Sequence, residues 1–123
     1  MKDLTGWLDS YFHAWETNDP AEVGALFAED AVYFYGPFRE PARGRDAIVA
    51  NWVAGAPQPN LRWSYEVLAV SGPTGVAHFA VSWSVDDARR VELDGILQLR
   101  FNRDGRCVEH REWYAEREVA SEG

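Results

Sequence analysis

Near Leu61 the apolar pattern changes its period, and that change restricts what the chain can fold into. Before it, Leu4, Leu8, Tyr11 and Trp15 recur at helical spacing. After it, Leu61, Trp63, Tyr65 and Val67 alternate with Arg62, Ser64 and Glu66, the pattern of a strand with one buried face. Helices followed by a run of long strands predict an α+β architecture, with the helices on one face of a strongly curved sheet.

The elements can be placed more closely. Residues 4–17 read as an amphipathic helix with Asp9, His13 and Glu16 on its other faces. Asp19-Pro20-Ala21-Glu22 carries an N-cap aspartate, a proline at the first helical position and a glutamate three residues after the cap, so a short second helix should follow and bury Val23, Leu26 and Phe27. Ala31 to Tyr35 suits a strand ended by Gly36-Pro37. Arg45 to Ala54 reads as a third helix stopped by Gly55 and Pro57, and strands are expected from Leu61 toward the turn at Ser71-Gly72-Pro73-Thr74-Gly75, then over 76–85, 90–101 and 106–116. The reading is one domain over 1–123, with a loose tail from about 118 to 123.

Composition removes several function classes. There are 123 residues with 20 acidic against 12 basic, a net charge of −8, and the arginines are interleaved with carboxylates, so nucleic acid is not an expected partner. No apolar run approaches a bilayer span and no leader pattern opens the chain, so neither membrane nor export is expected and a cytoplasmic setting is. A single cysteine, Cys107, excludes a disulfide framework. It is expected on the polar face beside the last turn, with no base to activate it. The six Trp, five Tyr and six Phe point to a heavy core or a lined cavity.

The chemistry concentrates in the last hairpin. If Phe101 pairs with Arg106 across Asn102-Arg103-Asp104-Gly105, then Leu99 faces Val108, Leu97 faces His110, Gly95 faces Glu112 and Leu93 faces Tyr114. That face is apolar except for His110 and Glu112, while Asp94, Gln98, Arg100, Glu109 and Arg111 look outward, interrupted by Ile96 and Trp113. A carboxylate on a buried face needs a partner or a wet pocket. Either Glu112 pairs with an arginine such as Arg45 or Arg111, or the space above Gly95 makes it a pocket carboxylate. His110 reads as a core histidine or as an auxiliary group. His78 has two possible faces: one length for the turn near Asp87 puts His78, Ala80, Ser82 and Ser84 inward, the other Phe79, Val81, Trp83 and Val85. His78 would in any case stand two strands from His110, roughly 10 Å away, so no metal is expected. Tyr11 is either core packing or a phenol donor suited to an oxyanion. Trp15, Phe27, Tyr33, Tyr35, Phe38, Trp52 and Trp63 form the pool for an apolar lining.

Several motifs together resemble the nuclear-transport-factor-2-like superfamily, specifically its SnoaL-like branch of small polyketide cyclases. They are Trp15-Glu16-Thr17-Asn18-Asp19, Leu26-Phe27-Ala28-Glu29-Asp30-Ala31-Val32, Arg43-Gly44-Arg45-Asp46-Ala47-Ile48, and Asp104-Gly105-Arg106 followed by Val108 to Trp113. The resemblance implies a cone-shaped α+β barrel, a deep pocket between helices and sheet, and a homodimer through the sheet. It places Glu112 where SnoaL-like cyclases and, by looser analogy, limonene epoxide hydrolases keep an acidic catalytic residue, and Tyr11 where ketosteroid isomerases keep an oxyanion-hole tyrosine. The isomerases' general base is replaced near Tyr35 and their protonated aspartate near Leu97. Of the epoxide hydrolase triad, His78 and Val76 stand where an acid and an arginine are expected.

Residues and resemblance together point to a small enzyme that takes an apolar, ring-containing carbonyl compound and moves a proton without a cofactor. Glu112 would act as base or acid, Tyr11 as donor to the carbonyl oxygen, and His110 or His78 as auxiliary. The lining would be Trp15, Phe27, Tyr33, Tyr35, Trp52, Trp63, Leu93, Gly95, Leu97 and Tyr114. The alternative is a non-catalytic small-molecule-binding module of the same fold.

Overall fold

The computed structural model describes residues 4–55 and 57–121. Three helices come early: α1 over Leu4–Thr17, α2 over Pro20–Leu26 and α3 over Arg45–Val53. Six strands follow or intervene: β1 Phe27–Phe34, β2 Ala42–Arg43, β3 Arg62–Ser71, β4 Thr74–Ser84, β5 Arg89–Phe101 and β6 Cys107–Ala120. They form one open sheet in the order β2-β1-β6-β5-β4-β3. It is mixed, because β1 joins β6 in parallel while the other pairs are antiparallel.

The helices form where the sequence predicts. Leu4, Leu8, Tyr11, Phe12 and Ala14 give α1 its buried stripe. Asp19 caps α2, its carboxylate accepting from the Ala21 N–H at 2.8 Å, with Pro20 at the first helical position where a missing donor costs nothing. Gly44, at φ 91, turns β2 into α3 and gives its N–H to the Ala31 carbonyl at 2.7 Å. Leu4, Leu8 and Phe12 pack with Ala77, Phe79, Val81, Leu97 and Leu99 from the inner face of the sheet.

The strands depart from expectation in four places. β1 begins at Phe27 instead of Ala31, continuing directly from α2 and carrying an irregularity between Phe27 and Val32. The two-residue β2, edging β1, is too short to show a period. β6 runs through Ala120, with Arg90 opposite Val119 and Arg89 opposite Ala120, so the expected loose tail is strand over that stretch. The last part of that tail, residues 122–123, lies outside the described residues.

The fourth departure is the register of the β5–β6 hairpin. Asn102 and Arg106 close the turn, with the Asn102 N–H on the Arg106 carbonyl at 3.0 Å and Gly105 at φ 80. Phe101 therefore faces Cys107, not Arg106. A bulge then sets Arg100 opposite Glu109, so that Leu99 faces His110, Leu97 faces Glu112, Gly95 faces Tyr114 and Leu93 faces Glu116. The partners shift by two, which leaves His110 and Glu112 on the inner face. Cys107, on the turn side of the bulge, changes face: it is buried, its thiol donates to the Glu109 carbonyl at 3.2 Å, and burial raises its pKa to about 12.

Candidate functional site

Glu112 stands inside the sheet beside β1. The parallel pairing of β1 with β6 puts Tyr33 opposite His110, and their rings stack at 3.8 Å with 12° between planes. From there the Tyr33 hydroxyl donates to Glu112 Oε1 at 2.6 Å. The Tyr11 hydroxyl, reaching in from α1, lies 2.8 Å from that of Tyr33. Tyr33 has one proton and gives it to the carboxylate, so while Glu112 is ionised Tyr11 must be the donor to Tyr33. The result is a directed chain, Tyr11 to Tyr33 to Glu112.

Neither Arg45 nor Arg111 pairs with this carboxylate. Arg111 lies on the outer face, with Nε on Glu109 at 2.6 Å and its guanidinium 3.9 Å over the Phe34 ring. Among the described residues no arginine comes within ion-pair distance of Glu112. Its side chain is 11% exposed. Burial therefore dominates and raises its pKa to about 7, against the smaller opposing pulls of the Tyr33 hydrogen bond and the Arg39 charge. Both phenols are pushed well above their ordinary range, by burial first and the Glu112 charge second, and so remain proton donors.

His110 is fully buried and neutral, with burial holding its pKa down at about 3. Its Nδ1 is 3.8 Å from Glu112 Oε1, too far for a hydrogen bond, and neither ring nitrogen has a hydrogen-bond partner among the described residues. His78 is not part of this cluster. The unbroken β4–β5 register turns Phe79, Val81 and Trp83 inward and His78 outward. There it lies between Asp94, at 2.9 Å, and Glu66, at 3.4 Å, and the hydrogen bond to Asp94 leads in raising its pKa. Among the described residues no group of His, Cys, Asp and Glu is placed to hold a metal ion.

The expected lining divides in two. Phe27, Tyr35 and Trp52 surround Tyr33 at ring distances of 5.9, 4.5 and 6.2 Å. Trp63 stacks instead on Phe12, and Trp15 bridges the groups by meeting both Phe12 and Trp52. Leu97 faces Glu112 across the strand pair, and Leu93 lies further along the same face. Gly95 provides no space: a Cβ there would fall 2.1 Å from the Trp113 carbonyl oxygen, so the glycine permits a close strand approach. Phe38 is wholly exposed, on the loop beyond β1. Beside it, Arg39 gives Nη1 to the Tyr114 hydroxyl at 3.3 Å and lies 5.3 Å over the Tyr35 ring. Nothing in the sequence pattern marks Arg39, because it belongs to no periodic element.

Two surface clefts, of about 580 and 930 Å³, lie elsewhere. The first crosses the outer face between Arg62, Ser82, Asp94 and Arg117. The second separates α1 from the β5–β6 turn, between Trp7, His13 and Arg106.

A family model described as "SnoaL-like domain" matches residues 8–110. The chain belongs to the SnoaL-like family. The matched stretch holds Tyr11, Tyr33 and His110 and stops just short of Glu112. Among solved structures this SnoaL-like chain is similar to an M. tuberculosis LEH-like epoxide hydrolase, at 14% identity and a TM-score of 0.69, over 89% of this chain and 80% of that one. At that identity the likeness shows a shared fold and nothing about substrate; with the family match, the three helices and open mixed sheet are the nuclear-transport-factor-2-like α+β cone. Among curated proteins none matches the SnoaL-like chain. No helix among the described residues is long and apolar enough to cross a membrane.

Proposed function

We propose that this SnoaL-like domain binds an apolar, ring-containing carbonyl compound and transfers a proton on it without a cofactor, in isomerase, cyclase or lyase fashion. The observation that carries the reading is a buried carboxylate with a phenol as its hydrogen-bond donor and no cation paired to it among the described residues. A base held near neutrality by burial is suited to taking a proton from carbon beside a carbonyl. Glu112 would remove that proton, leaving an enolate, and return it at another atom of the ligand. Once Glu112 holds that proton, the Tyr33 hydroxyl no longer has to donate to it and would turn to the enolate oxygen, with Tyr11 acting through Tyr33 by supplying its hydrogen bond.

Deuterium exchange into a panel of cyclic ketones and enones, followed by NMR, tests this. Wild type should exchange at least one member, Glu112→Gln should reduce the rate by about 100-fold or more, and Tyr33→Phe by a smaller factor. Exchange that survives in Glu112→Gln defeats the assignment. A second reading, a non-catalytic binding module, draws on the two clefts, which open away from Glu112. It predicts ligands that bind wild type and Glu112→Gln equally and never exchange.

Homodimerisation through the outer face of the sheet belongs to the same proposal. Trp113 is 43% exposed there, beside the half-buried Ile96. Light scattering should give twice the chain mass at micromolar concentration, and Trp113→Arg should return it to one. A monomer mass for wild type removes the dimer.

A further inference from the structure

The surface beside Glu112 carries one feature the proton-transfer reading leaves unused. Arg39 projects from the loop after β1, held over the Tyr35 ring and on the Tyr114 hydroxyl, two neutral aromatic residues. It makes no ion pair among the described residues, although the chain carries 20 acidic side chains against 12 basic. Its charge nevertheless reaches inward, and both Glu112 and Tyr35 feel it. Asn51, from α3, joins this patch by donating to the Tyr35 hydroxyl at 3.4 Å. Next to Arg39 stands Phe38, bare of contacts that would cover its ring. Among the described residues only Nη1 of this guanidinium donates to a partner, a neutral phenol, which leaves the Nε–Nη2 edge for a bidentate carboxylate. With a bare phenyl ring beside it, the pair fits a ligand that is apolar along most of its length and anionic at one end.

We propose that the ligand of this site carries a carboxylate or an equivalent oxyanion, received at the surface by Arg39 while its apolar body lies toward Tyr35, Trp52 and Glu112. This rests on the reading of Glu112's surroundings as a ligand site. It adds a charge requirement to the substrate class. An anion held at Arg39 also keeps the ligand in one orientation, so that its distal carbon, not its charged end, meets Glu112. In a protein of net charge −8 the long-range field repels anions, so any preference for them must come from a local cation.

Two fluorescent probes with the same ring body separate the possibilities: anilinonaphthalene sulfonate, which is anionic, and the uncharged phenylnaphthylamine. Wild type should bind the sulfonate about five-fold tighter, the factor expected of a solvent-accessible ion pair, and the gap should narrow in high salt. Arg39→Gln should erase the gap by weakening the sulfonate alone. The Trp52 indole N–H resonance should move on binding, which fixes the location. Equal affinities in wild type, or a preference that survives Arg39→Gln, overturn the anion requirement while leaving the apolar site standing. Failure of both probes to bind, or binding that leaves Trp52 unmoved, overturns the site reading and this inference together.

Discussion

Glu112→Gln should make the protein more stable than wild type above about pH 7, by something on the order of 2–3 kcal/mol. The sign follows from the direction of the shift. Burial raises the carboxyl from 4.5 to about 7, so the folded state holds the proton more tightly than the unfolded chain. The associated stabilisation is complete below about pH 4.5 and is lost as pH rises through about 7. Glutamine keeps the shape and the acceptor for Tyr33 but never ionises, so it escapes that loss. His110 has the opposite slope. Burial lowers it from 6.5 to about 3, so its contribution is present above about pH 6.5 and is lost as pH falls toward 3. Between about pH 4.5 and 6.5 the two oppose each other and wild-type stability should change little. The variant, with only the histidine slope left, should gain stability as pH rises through that window. Urea unfolding at several pH values measures both curves. A variant less stable than wild type at about pH 8 would mean that the carboxylate is a structural partner whose loss strands another charge.

Gly95→Ala should damage the sheet more than any other single added methyl, costing roughly 4 kcal/mol or more, or preventing folding. The added carbon would lie 2.1 Å from the Trp113 carbonyl oxygen and 2.7 Å from the Tyr114 Cα, both on β6. Backbone cannot turn aside, so the strand pair that carries Glu112 would have to separate. Gly75→Ala gives the contrast. Its Cβ meets Leu4 Cδ2 at 2.6 Å, the end of a flexible side chain in the first turn of α1, and a rotamer change should limit the loss to about 1 kcal/mol. Urea midpoints of the two variants decide the matter. A Gly95→Ala protein within about 1 kcal/mol of wild type would mean that β5 and β6 have room between them for a side chain.

The helices, the strand-rich second half and the inward facing of His110 and Glu112 were legible in the chain itself. These features depend on short-range periods: the stripe from Leu4 through Tyr11, the cap at Asp19, the alternation along β5 and β6. Register was not legible in the same way. A period of two is unchanged when partners shift by two, so the bulge beside Phe101 moved Glu112 from Gly95 to Leu97 without changing its face, yet it turned Cys107 inward. His78 had two consistent faces until β4 paired without a break to β5. Above all, the Tyr33–Glu112 bond joins residues 79 positions apart, and Arg39 reaches Tyr114 from a loop with no period at all. Those contacts exist only once the sheet has assembled, because pairing β1 in parallel with β6 is a long-range choice that no local pattern encodes.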